Sequence, residues 1–235
     1  MSRPSGVAVV IPTLNEAAAI VGVLREIPPA VASEIIVADS ASGDGTATLA
    51  AAAGARVVVT PTRGYGRACA AGAAAASAAC GVIVFMDGDG SDRADLMPLL
   101  VAPILAGTHD FVIGSRVRGV RETGAMSWHQ VLAGRLFGAA IGVLTGVRYS
   151  DMGAFRAIRR DALDRLRLRE MTYGWNIEMQ MQAARAGLRI QEIPLPYRRR
   201  SGGTSKVAGS LRGSLRAGWW IGATFLRVAL SPRPL

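Results

Sequence analysis

Residues Gly81–Asp95 read GVIVFMDGDGSDRAD. Val82 to Met86 make an apolar run of strand length, the pattern of a parallel strand covered on both faces. The run stops at Asp87, Gly88 and Asp89. Two carboxylates separated by one residue, at the carboxyl end of a buried strand, stand where open α/β sheets bind ligands. Gly88 and Gly90 let the backbone turn and approach a ligand closely. Carboxylate oxygens are the hard donors that Mg²⁺ or Mn²⁺ prefers, usually beside substrate phosphates. A turn of solvated aspartates would use the same residues, so the stretch alone leaves both readings open.

The flanking sequence repeats the strand. Val7–Ile11, Glu34–Ala38, Arg56–Thr60 and Asp110–Gly114 are further apolar runs, and helix-like segments separate them. Asn15 reads as the N-cap of a first helix that Pro28 and Pro29 close. Thr46–Ala53, an alanine-rich stretch ending at Ala79, and Asp92–Leu105 are the next helices. This rhythm predicts an α/β fold with a mostly parallel sheet flanked by helices. Asp39, Asp87, Asp89 and Arg116 then line up at the carboxyl ends of strands, where a nucleotide site is expected.

Beyond Arg116 the pattern is less regular. Ser127–Thr145 reads as an amphipathic helix, Ser150–Ile158 as a loop and short strand, and Asn176–Ala186 as a helix. Leu188–Tyr197 is a strand broken by Pro194 and Pro196, followed by the basic glycine-containing loop Arg198–Lys206. Val207–Leu230 reads as a last helix with Trp219, Trp220 and Phe225. The expected organisation is one domain over 1–206 and a C-terminal amphipathic helical extension over 207–235.

At 235 residues and 50% hydrophobic content, the chain can bury a substantial core. Its net charge of +10 favours anionic partners. The basic residues are scattered rather than gathered into a stripe with exposed aromatics, which argues against nucleic acid. Two cysteines, Cys69 and Cys80, make no disulfide framework and fit a reducing cytosol. The N-terminal apolar run, interrupted by Pro12, is too short for a signal peptide. No segment reaches the length of a transmembrane span.

Six blocks in order carry a resemblance: VAVVIPTLNEAAAI, EIIVADSASGDGT, FMDGDGSD, DFVIGSR, DMGAFRAIRRDAL and EMQMQAARAGLRIQEIPLPYRRRSGGTSK. Together they resemble the family 2 glycosyltransferases of the GT-A (Rossmann-like) fold, in the dolichol-phosphate mannosyltransferase and polyprenyl-phosphate sugar branch. The resemblance runs from Val7 to about Lys206. It implies a hexosyltransferase that uses a nucleotide-diphosphate sugar and a divalent cation, Mg²⁺ or Mn²⁺. A nucleotidyltransferase is a rival, but IPTLNE stands where such enzymes carry a glycine-rich loop.

The resemblance also implies roles. Pro12, Asn15, Glu16 and Asp39 would surround the base and ribose. Asp87 would meet ribose or metal, and Asp89 would hold the ion against the diphosphate. Ser91 stands where relatives often carry a glutamine on the metal side. Arg116 and Arg135 would pair with phosphates, for which the planar guanidinium is suited. Asp151 and Glu178 would be general-base candidates if the acceptor is a hydroxyl, whereas a phosphate acceptor needs none. Gln180 completes an E-x-Q pattern with Glu178. Arg200, Ser205 and Lys206 match a basic lid segment that would close over the diphosphate.

The acceptor stays open between polyprenyl phosphate and a soluble small molecule. The arginines and aromatics of 207–230 suit peripheral contact with the cytoplasmic face of a membrane. They suit equally packing on the domain or pairing as a homodimer.

Overall fold

Alternate residues of the first strand, β1 (Gly6–Thr13), serve opposite cores. Val7, Val9 and Ile11 enter one apolar layer, and Ala8 and Val10 enter the other, as the period of a strand requires. The computed structural model describes residues 5–202 and 211–232. After β1 come α1 (Ile20–Glu26), β2 (Glu34–Asp39), α2 (Thr46–Ala52), β3 (Arg56–Val59), α3 (Tyr65–Ala75) and β4 (Cys80–Phe85). A 3₁₀ turn, Ala94–Leu96, leads into α4 (Met97–Leu105), then β5 (Phe111–Ser115) and α5 (Trp128–Thr145). The chain continues through β6 (Arg156–Arg159), α6 (Arg160–Leu166), α7 (Trp175–Arg185), β7 (Ile190–Pro194) and α8 (Leu211–Leu230).

The sheet has seven strands in the order β3-β2-β1-β4-β6-β5-β7. All neighbouring pairs are parallel except those made by β6, which runs antiparallel to both β4 and β5. Register places Thr13 beside Asp39. Arg156, the first residue of β6, pairs with Phe85 and Ile113. The loop preceding β6 therefore arrives at the same sheet edge as the turns that follow β1, β2, β4 and β5.

Small residues set the spacing of α3. A Cβ on Gly72 would lie 2.4 Å from Val10 Cγ1, so the helix rests directly on β1. Gly66, Ala68 and Cys69 are the other buried residues of this helix. The helix ends at Ala75, short of the expected Ala79, because Ala76 is extended and the Ser77 N–H goes to Glu34 Oε2 at 2.8 Å. The first helix also begins later than Asn15 suggests. Asn15 is left-handed (φ 53°), a conformation asparagine tolerates, and α1 starts at Ile20. The stretch expected as one helix from Asp92 is split, with Pro98 in the first turn of α4.

Asp110 clamps the far side of the sheet. Its carboxylate pairs with Arg189 before β7 (2.8 Å) and Arg159 at the end of β6 (2.6 Å). The Arg189 hydrogen bonds lower its pKa to about 2, the Arg159 charge adding to the effect.

Candidate active site

The loops after β1 and β2 are laced together. Asp39 is buried, and its Oδ1 accepts the Thr13 hydroxyl (3.0 Å) and the Ser42 hydroxyl (2.6 Å). Its Oδ2 accepts the Ser42 N–H at 2.8 Å. Asn15 donates its N–H to Ser42 Oγ (2.8 Å) and accepts the Gly43 N–H (3.0 Å). Asp44 accepts from Thr46 and from the Ala17 N–H, and the Glu16 N–H reaches Thr46 Oγ1 at 2.9 Å. Pro12, Asn15, Glu16 and Asp39 thus belong to one rigid corner.

The turn after β4 is the acidic centre. Asp89 is buried, and its Oδ1 takes the Ser91 N–H (2.9 Å) and hydroxyl (2.5 Å). Gly90 is left-handed (φ 80°), and a Cβ there would strike Ser201 Oγ. The Asp87 N–H donates to Asp92 Oδ2 at 3.0 Å. Burial, with repulsion from Asp89 and Asp92, pushes the Asp87 carboxyl well above its ordinary pKa. Burial, reinforced by Asp89, likewise raises Asp92. Such a cluster is stabilised by positive charge, and Arg200 supplies one. Its Nη1 lies 3.0 Å from Asp89 Oδ2, and its Nη2 lies 2.8 Å from both Glu16 oxygens. The Ser201 N–H donates to the Asp89 carbonyl at 2.9 Å, seating this basic segment on the turn.

Arg116 and Asp151 form the third part. Asp151 is 1% exposed. It accepts the Arg116 N–H (3.0 Å), Nε (2.7 Å) and Nη2 (2.8 Å), and the Met152 N–H (2.7 Å). Burial alone would raise the Asp151 pKa, but the Arg116 charge and these hydrogen bonds bring it below the ordinary value. The Arg116 guanidinium also lies over the Tyr197 ring, 5.1 Å from its centre. The loop is held from behind: Gln180 Nε2 donates to the Asp151 carbonyl at 2.8 Å. The fully buried Arg156 donates to the carbonyls of Gly153 and Asn176.

Pro12, Asn15, Glu16, Asp39, Asp87, Asp89, Ser91, Arg116, Asp151 and Arg200 therefore gather along one sheet edge. Four expected residues stand apart from this edge or outside the described residues. Arg135 is exposed on α5 and makes no hydrogen bond or ion pair among the described residues. Ser205 and Lys206 lie outside the described residues. Glu178 points elsewhere: its Oε2 accepts the N–H groups of Arg169 (2.9 Å) and Glu170 (2.7 Å), and its Oε1 meets Arg227 of α8 at 3.0 Å. It docks the last helix. Replacing Glu178 with alanine strands two N–H donors and leaves Arg227 only Glu170, at 3.6 Å, and should lower unfolding stability by about 3 kcal/mol. Ligand-dependent thermal shifts should persist in that variant.

The sequence pattern alone does not assign Tyr197 or Arg156 to this edge, nor Gln180 to anchoring it. The signals were present: Arg156 closes the D-M-G-A-F-R block, and Gln180 is the second member of E-x-Q. Among the described residues, two cavities of about 220 and 340 Å³ lie away from this edge, both bordered by Arg160 and Asp164.

The donor set fits a divalent ion of one kind. No three acidic, histidine or cysteine side chains form a ready cage among the described residues. Asp89 with Asp87 suits Mg²⁺ or Mn²⁺, which complete their shell with phosphate oxygens and water.

A family model described as glycosyl transferase family 2 matches residues 8–167. An uncharacterised glycosyltransferase of Mycobacterium tuberculosis is 38% identical over 145 residues, covering 58% of this chain and 61% of that protein. The undecaprenyl-phosphate mannosyltransferase of Micrococcus luteus is 33% identical over 143 residues, 56% of this chain and 55% of that one. The matches thus span about three fifths or less of these relatives. Among solved structures, glucosyl-3-phosphoglycerate synthase from Mycobacterium tuberculosis was crystallised with Mn²⁺, uridine diphosphate and glucosyl-3-phosphoglycerate. It aligns with TM-score 0.76 and 28% identity over 97% of this chain and 81% of that one. The expected GT-A architecture is therefore the observed one.

Proposed function

Because the chain belongs to glycosyl transferase family 2, we propose that it moves a hexose from a nucleotide-diphosphate sugar to a phosphate acceptor of the polyprenyl phosphate type, with inversion at the anomeric carbon. The observation that carries the acceptor class is the state of the two candidate bases. Asp151 has both oxygens committed to Arg116 and Met152, and its pKa is depressed, which makes it a weak base. Glu178 faces α8. An acceptor that arrives as an anion needs neither. The names of the undecaprenyl-phosphate and polyprenol relatives support the same reading.

In this reading Asp39, with Asn15 and Glu16, receives the nucleoside. Asp89 and Asp87 hold Mg²⁺ or Mn²⁺, which supplies charge neutralisation for the departing diphosphate. Arg200, now 3.0 Å from Asp89 Oδ2, would release Asp89 to a bound ion and pair with phosphate oxygens instead. Arg116, fixed by Asp151, orients the acceptor phosphate. Ser205 and Lys206 are further phosphate contacts of this proposal, whereas Arg135, exposed on α5 and apart from the site edge, is not. Residues 1–206 form the catalytic domain and 207–235 its extension.

A small soluble acceptor is the second reading, favoured by the fold match to a synthase crystallised with phosphoglyceric acid. Labelled nucleotide hexoses incubated with polyprenyl phosphate, polyprenol and phosphoglycerate separate the two. Transfer to polyprenyl phosphate, with none to polyprenol, is the expected result. Transfer to phosphoglycerate alone would replace the lipid acceptor with the soluble one.

A further inference from the structure

Two helices turn apolar faces to solvent. On α5 the inward face is Gly134, Gly138 and Ile141. The outward stripe is Trp128, Leu132, Leu136 and Val143, all exposed and at helical spacing. On α8, Ala217, Thr224 and Val228 are buried, and Trp219, Leu226 and Leu230 lie on the opposite face, exposed. Trp128 is 77% exposed and Trp219 is 73% exposed, unusual for a residue that buries so much area when it is partnered. The rings of Phe137 and Phe225 meet at 5.6 Å and set the two helices side by side.

Charge decides what covers this face. Neither α5 nor α8 contains an aspartate or glutamate; they carry Arg135, Arg212 and Arg216, besides Arg227, which pairs with Glu178 and Glu170. Arg135 and Arg216 are exposed. A second copy would bring arginines against arginines across a two-fold interface. An anionic lipid surface complements them, while tryptophan and leucine enter the headgroup region. Among the described residues, no helix is long and apolar enough to cross a membrane. We propose that α5 and α8 together form a docking face for an anionic bilayer surface.

The face adjoins the site. A Cβ on Gly134 would stand 3.6 Å from Asp151 Oδ1, so the inner side of α5 backs the Arg116–Asp151 pair. Docking through its outer side would hold that pair about one helix diameter from the leaflet. This use rests on the lipid-acceptor reading, but docking itself does not.

The test is flotation of the full chain with vesicles of phosphatidylcholine, alone or mixed with phosphatidylglycerol. We expect flotation with the mixed vesicles, reduced by salt and weak with phosphatidylcholine alone. The pair Leu132→Gln and Leu136→Gln should weaken it about ten-fold, as should Trp219→Ser. Arg216→Glu should weaken binding to mixed vesicles and leave binding to phosphatidylcholine alone unchanged. Folding is followed by the nucleotide-dependent thermal shift, which these variants should keep. Absence of flotation, or flotation unchanged by all these substitutions, overturns the proposal. So does a dimer in sedimentation that the leucine substitutions dissolve without vesicle binding, which makes a second copy the occupant. Flotation with no sugar transfer to any acceptor would sink the transfer reading and leave the docking face standing.

Discussion

Asp89→Ala should abolish the metal-dependent stabilisation that a sugar nucleotide gives the protein. At a ligand concentration a hundred-fold above its dissociation constant, that stabilisation is about 3 kcal/mol. Turnover should fall about a thousand-fold, the scale of losing a charge-stabilising group from a transfer site. The ligand-free protein should change much less. Removing Asp89 deprives Arg200 of one partner, yet Arg200 keeps Glu16. It also removes the Asp89 repulsion that adds to burial in raising the Asp87 and Asp92 pKa values. Calorimetry with and without Mn²⁺ and nucleotide separates the two effects. An unchanged ligand shift in the variant would remove Asp89 from the metal site.

Arg116→Met should be the most damaging single change. It leaves a buried carboxylate, Asp151, without its charge partner, a loss of about 3–5 kcal/mol. It also removes the cation expected to meet the acceptor. Arg116→Lys should recover little, because one ammonium cannot reproduce the two-pronged pairing at 2.7 and 2.8 Å. The pH dependence should change sign. In the parent the folded Asp151 pKa is depressed, so its contribution is present above the unfolded value near 4 and fades as pH falls through the folded one. In Arg116→Met the charge partner is gone and burial raises the Asp151 pKa against only the two backbone N–H donors, so the contribution of this carboxyl is largest in acid and falls as pH rises. Melting curves of both proteins across pH 3–8 give the comparison. Parallel profiles would mean that Arg116 does not control Asp151.

The site was legible where chemistry and local structure coincide. The turn after β4 announces itself because a buried strand must end before two aspartates can face a ligand. Asp39 and Arg116 follow from the same rule. Less was legible where one residue serves a neighbour far along the chain. Arg156 opens a four-residue strand, RAIR, whose alternation is too brief to mark it, and nothing local says it runs antiparallel. That reversal brings Asp151 to the site edge. Glu178 and Gln180 are two residues apart on α7, and their spacing cannot tell which turns to α8 and which to Asp151. Asn15 has the chemistry of a helix cap, but its side chain closes the gap to Gly43 instead. The last helix carries two kinds of face, and only packing against Glu170 and Glu178 distinguishes the inward one.

A crystal structure of the chain with Mn²⁺ and a nucleotide-diphosphate hexose tests the central claim most directly. The anomalous signal of manganese should lie on Asp89, with the diphosphate beside it, the nucleoside against Asp39, and Arg200 displaced from Asp89 Oδ2. An ion bound away from Asp87 and Asp89, or a nucleoside remote from Asp39, would contradict the assignment of this sheet edge as the transfer site.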